Sequence, residues 1–66
     1  MRNEIIEALV AHLEGHVKKH RMNILIMLEN PMAIHDHTDL LGAIETELGY
    51  IAEYCDKLEA LDEVIS

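Results

Sequence analysis

Apolar residues recur along this chain in two long runs of helical period, separated by a single proline. At about 100° per residue, Ile6, Leu9, Val10, Leu13, Val17, Ile24, Met27 and Leu28 of the first run fall on one broad face. Glu4, Glu7, Glu14, Lys18 and Glu29 lie opposite. In the second run Leu40, Leu41, Ile44, Leu48, Ile51, Cys55, Leu58 and Ile65 form the stripe, with Tyr54 and Leu61 on its flank and Glu45, Asp56, Glu59 and Glu63 facing away. Neither run alternates with a period of two, so the pattern predicts helices and no strand.

Asn30-Pro31 sets the boundary between the runs, because proline disfavours helical geometry at the residue before it. The pattern predicts a helix over 3–29, a loop over 30–38 and a second helix over 39–64. Asn3 is a plausible N-cap for the first helix, with Glu4 and Glu7 placed well for the helix dipole. Asp36 with Asp39 resembles a capping box for the second, and Thr38 is the rival cap. Glu14 to Lys18 and Glu53 to Lys57 are favourably oriented i,i+4 pairs. Gly15, Gly42 and Gly49 each weaken a helix, which is read either as tolerated weakness or, the reading slightly favoured, as close approach of a neighbouring backbone at these positions.

Two helices of similar length joined by a short loop fold back as an antiparallel hairpin, so the chain is a single all-α domain. Stripes this wide leave apolar surface uncovered in one hairpin. Composition sharpens the point. The chain has 66 residues, half of them hydrophobic, with two Tyr and neither Trp nor Phe. Ordering a chain of this length costs on the order of 100 kcal/mol. Offsetting that at about 25 cal/mol per Å² takes on the order of 4,000 Å² of buried apolar surface, more than one seam between two helices supplies. Cys55 is the sole cysteine, so no internal disulfide helps. It fits the apolar stripe as a small buried hydrophobe. Association with a second copy, closing a dimeric four-helix bundle, is the expected remedy.

The net charge of −8 is unevenly placed. Residues 29–66 carry ten acids against one base, Lys57. Such a half repels phosphate backbones and anionic lipid, which argues against nucleic-acid and membrane partners, and the Lys18, Lys19, Arg21 cluster is too small to reverse that. No apolar run is long enough to span a bilayer, and Met1-Arg2-Asn3-Glu4 lacks the features of a signal peptide. A cytoplasmic setting is expected. Ser66 is the only serine and no Gly-rich phosphate loop is present, so neither a nucleophilic triad nor nucleotide chemistry can be assembled and no enzyme is expected. The acidic outer face, through Glu45, Asp56, Glu59 and Glu63, is the candidate surface for contact with another protein.

Candidate chemistry is confined to polar residues on the wrong faces. His12, His16 and His20 stand four residues apart, and His20 lies close to the centre of the apolar face, His16 on its shoulder and His12 at its edge. Glu47 intrudes similarly on the second stripe. Folding the chain about its loop brings Glu47 level with His20. A buried carboxylate needs a partner, so a His20–Glu47 hydrogen bond or ion pair is expected, with no cofactor. The alternative is a metal site for zinc or another transition metal on His16, His20 and Glu47, since histidines at i,i+4 can chelate one ion. The Glu-x-x-His signature of di-iron bundles is absent from both helices. His35-Asp36-His37, in the loop, reads as solvated or capping rather than functional. Met22, Met27 and Met32 read as core or interface filler.

Asn30-Pro31-Met32-Ala33-Ile34, His37-Thr38-Asp39, Ala43-Ile44-Glu45-Thr46-Glu47-Leu48 and Ile51-Ala52-Glu53-Tyr54, together with Ala11-His12 and Lys19-His20-Arg21-Met22-Asn23, resemble small helical proteins of marine cyanobacterial viruses over nearly the whole chain. Members carry glycine near position 33, where this chain has alanine. The resemblance implies a viral accessory or virion protein acting in a host bacterial cytoplasm. It brings no catalytic residues with it.

Overall fold

The structure is a computed structural model that describes residues 1–30 and 39–66. Two helices make up the described fold, α1 (Arg2–Glu29) and α2 (Leu40–Ile65), and no strand occurs among the described residues. They pack antiparallel as a hairpin: His16 meets Tyr54, His20 meets Tyr50 and Glu47, and Asn23 meets Glu47. The result is a rod of 47 × 17 × 14 Å.

Helix boundaries fall within a residue of the predicted ones. α1 stops at Glu29, with Asn30 as its C-cap, where Pro31 removes the next helical step. Its start differs from expectation. Met1, not Asn3, is the N-cap, and Asn3 lies within the first turn. Glu4 instead serves this end, its carboxylate 2.9 Å from the Met1 amine, where negative charge favours the helix dipole. Asp39 is the N-cap residue of α2 but makes no side-chain cap hydrogen bond. The expected capping partner Asp36, the rival cap Thr38, Met32 and the His35-Asp36-His37 cluster lie outside the described residues.

The glycines do not mark a close helix crossing. No neighbouring atom stands within 4 Å of where a Cβ would be at Gly15 or Gly49. At Gly42 the missing side chain makes room for the Asp39 carboxylate, which folds over the first turn of α2. Gly42 is thus a local accommodation of its own helix end.

Little of the apolar stripe is covered. Leu13 is the one buried hydrophobic residue among those described, and His20 the one buried polar residue, each 7% exposed. Val10, Val17, Ile24, Ile44, Ile51 and Leu58 are half-buried along the seam. Several residues expected in the stripe are open to solvent: Leu9, Leu28, Leu41 at 84% exposure, Leu48 at 54%, and Cys55. Cys55 is therefore not the buried hydrophobe that its place in the pattern suggested. The reason is geometric, since one helix covers only the centre of a neighbour's face and the stripe is wider than that. Met22, Leu25 and Ile26 are exposed as well, so the end of α1 nearest the chain reversal is apolar on every side.

Candidate functional site

The polar intruders of the two stripes meet. His20 Nδ1 lies 2.8 Å from Glu47 Oε1, and the side chains are only 9% and 13% exposed. Asn23 Nδ2 donates to the same oxygen over 2.7 Å. One carboxylate oxygen on α2 thus accepts from two donors on α1, three residues apart and so on the same face. The Glu47 carboxyl is held below its ordinary range by the His20 hydrogen bond and then the Asn23 one, against the opposing effect of burial. An ionised carboxylate only accepts, so Nδ1 of His20 carries the proton and the ring is fixed in that orientation. No buried side-chain nitrogen or oxygen lacks a partner among the described residues.

Around this network the rings form a column along one edge of the hairpin. His16 stacks on Tyr54 with centroids 4.3 Å apart and planes 3° from parallel. His20 stacks on Tyr50 at 4.6 Å and 21°. His12 meets the edge of His16 at 4.7 Å, and the Lys57 ammonium sits 4.9 Å from the Tyr54 centroid. These contacts use ring faces, which favours offset or edge arrangements and contributes about 0.5–1.5 kcal/mol per pair. The His16 ring titrates below its ordinary 6.5, chiefly because contact with its surroundings desolvates it and then because His12, Lys19, His20 and Lys57 place positive charge nearby.

Of the residues singled out from sequence, His20 and Glu47 are brought together as expected. His16 is not joined to them. Its ring lies 6.5 Å from that of His20, nearly parallel, and is occupied by Tyr54. His12 is exposed, as its edge position implied. Among the described residues no group of three or more His, Cys, Asp or Glu side chains converges on a point that would hold a metal ion. A metal on His20 and Glu47 would take the place of the hydrogen bond between them. Glu45, Asp56, Glu59 and Glu63 are all exposed.

Asn23, Tyr50 and Tyr54 were not assigned to the site from sequence. The signal for the tyrosines was present, because Tyr50 and Tyr54 repeat on α2 the four-residue step of His16 and His20 on α1, at matching levels of the hairpin. Asn23 lies three residues beyond His20, a polar residue on the same face.

A second feature lies on the opposite edge. Glu14, Val17, Lys18 and Arg21 of α1 and Cys55 and Leu58 of α2 line an open groove of about 260 Å³. Glu14, Lys18 and Arg21 supply its charges and Val17, Cys55 and Leu58 its apolar part, which gives it the character of a contact surface. No helix among those described is long and apolar enough to cross a membrane. The chain matches no protein-family model, no curated protein and no solved structure.

Proposed function

We propose that this chain is a non-enzymatic helical protein that self-associates as a dimeric four-helix bundle and acts through protein–protein contact. The observation that carries this reading is the near-absence of a core: one buried hydrophobic residue among the described residues, with Leu28, Leu41 and Leu48 each more than half exposed. The accessible surface is 5224 Å². A compact monomer of this mass exposes about 4,250 Å². The excess is close to the ~800 Å² that each partner gives up in a stable interface.

The acidic outer face, Glu45, Asp56, Glu59 and Glu63, then stays free to meet a further, basic protein. The resemblance to small viral proteins supports an accessory or virion role in a bacterial cytoplasm. Within this reading the His20–Glu47–Asn23 network fixes the register of each hairpin, because any slip of one helix along the other leaves a buried carboxylate without its donors.

Sedimentation equilibrium at micromolar concentration, together with metal analysis of protein purified without a histidine tag, tests the reading. A helical species of twice the 7.5 kDa chain mass, free of metal, is the expected result. A folded monomer overturns it. Stoichiometric metal that is lost in His20→Ala replaces it with the alternative, a metal-binding bundle on His16, His20 and Glu47.

A further inference from the structure

The edge that carries the groove has a pattern of its own. On α1, Val10, Glu14, Val17, Arg21, Ile24 and Leu28 succeed one another at alternating steps of four and three residues. On α2, Leu41, Ile44, Leu48, Ile51, Cys55 and Leu58 do the same. This is heptad spacing, which lays a row of side chains along one side of a helix. Both rows border the same edge: Val17 and Arg21 share the groove with Cys55 and Leu58, while Leu28, Leu41 and Leu48 stand open beyond it. The ring column occupies the other edge and is already covered by its own tyrosines.

Three charges of α1 line the groove, Glu14, Lys18 and Arg21; Glu14 and Arg21 lie in the row itself, and their placement is self-complementary. Glu14 and Arg21 are seven residues apart, symmetric about the Val17–Lys18 bond, and both line the groove. Two ways of pairing hairpins with two-fold symmetry treat them differently. An axis parallel to the helices sets α1 of one copy beside α2 of the other. Glu14 then faces the level of Cys55 and Arg21 the level of Leu48, so neither stands opposite a charge of the other sign, which is a costly way to bury one. An axis perpendicular to the helices sets α1 antiparallel to α1 and α2 antiparallel to α2. Glu14 of each copy then faces Arg21 of the other, Val17 meets Val17, and Leu48 faces Cys55.

Building on the self-association proposed above, we infer that a second copy of this chain docks on the edge formed by Val17, Leu48 and Cys55, about a two-fold axis perpendicular to the helices, with two reciprocal Glu14–Arg21 ion pairs setting the alignment. The interface leaves the ring column outside. Every helix in the bundle is antiparallel to its neighbours, the up-down arrangement that four-helix bundles adopt.

The test is a charge swap read by sedimentation equilibrium at about 50 mM salt, where exchanges between opposed charges are least screened. Glu14→Arg and Arg21→Glu each turn two attractions into two repulsions and should raise the dimer Kd about tenfold or more. The double variant Glu14→Arg/Arg21→Glu restores opposite signs and should return to within about threefold of the original. Circular dichroism checks that each variant keeps its helix content. Should a reversal lower it, Glu14→Gln/Arg21→Gln supplies the reading, with a Kd that no longer rises with salt while that of the original chain does. If the original chain dimerises and the single reversals leave its Kd unchanged, or the double variant is no tighter than the singles, this interface is overturned and self-association stands. If the original chain is a monomer, both fail together.

Discussion

The two edges of the hairpin obey opposite rules. On the ring edge the buried polar groups have found partners within the chain: Glu47 accepts from His20 and Asn23, while His16 lies on Tyr54 and His20 on Tyr50. On the groove edge the apolar residues Leu28, Leu41 and Leu48 have found none. Directional interactions are thus satisfied internally, and the non-directional one is left to another molecule. The difference separates two jobs. The ring edge specifies how α1 lies against α2, because hydrogen bonds tolerate no slip of register. The groove edge supplies burial, the dominant favourable term in folding and association, only once a second surface arrives.

The largest expected effect comes from breaking the ring edge at its hub. Glu47→Ala leaves His20 Nδ1 and Asn23 Nδ2 without an acceptor in a site that is mostly shielded from water, and should lower stability by about 2–3 kcal/mol in chemical denaturation. Replacing the whole polar set together, His20→Leu/Asn23→Leu/Glu47→Leu, should cost far less, because no orphaned donor is left behind. A triple variant as unstable as Glu47→Ala would show that the network contributes stability itself and not the penalty for its partial loss.

The groove edge should respond to concentration where the ring edge does not. Leu48→Gln removes an apolar side chain that is 54% exposed in the hairpin, so the single chain loses little. In the dimer the same position is covered, and the loss should reach about 1–2 kcal/mol per chain. Thermal midpoints of the original chain and of Leu48→Gln, followed from about 1 to 100 µM, should diverge as concentration rises. Curves that stay parallel would place Leu48 outside any interface. Glu47→Ala, in contrast, should lower the midpoint at every concentration.

The same division governs what the sequence made legible. Helix boundaries, the antiparallel pairing and the meeting of His20 with Glu47 follow from periodicity, one proline and the penalty on a buried carboxylate, all of which act within the chain. The covering of Leu48 and Cys55 does not follow. A helical wheel gives the direction in which a side chain points and is silent on whether anything lies there. Cys55 stands one turn from the half-buried Ile51 and Leu58 and is nevertheless exposed, because α1 passes over the centre of the stripe and not its flank. The tyrosines teach a related lesson. Tyr54, which the pattern places on the flank of a stripe, and Tyr50, which the pattern does not single out, act as flat faces for the histidines of the other helix. Seeing that requires matching levels across the hairpin, not reading each helix alone.

The smallest expected effect sharpens the comparison by pH, since among the described residues the titrating groups with displaced pKa values, His16 and Glu47, both belong to the ring edge. His16 is displaced below its ordinary 6.5, so as pH falls through 6.5 the unfolded chain takes up a proton that the folded chain still refuses. Stability conferred by the neutral ring is complete above 6.5 and is lost as pH drops towards the folded value. Glu47 is displaced below its ordinary 4.5, so its contribution persists to that pH and is lost only beneath it, as the carboxylate that holds His20 and Asn23 becomes protonated. Thermal midpoints should therefore decline in two separate steps on acidification. His16→Gln, which also forfeits the stacking on Tyr54, lowers the whole curve but should remove the step between pH 7 and 5 while leaving the step below 4.5. Glu47→Gln should do the reverse. Equal slopes between pH 7 and 5 in the original chain and in His16→Gln would mean that the histidine on Tyr54 is as free to take a proton as one in water, and the ring column would then be packing without electrostatic consequence.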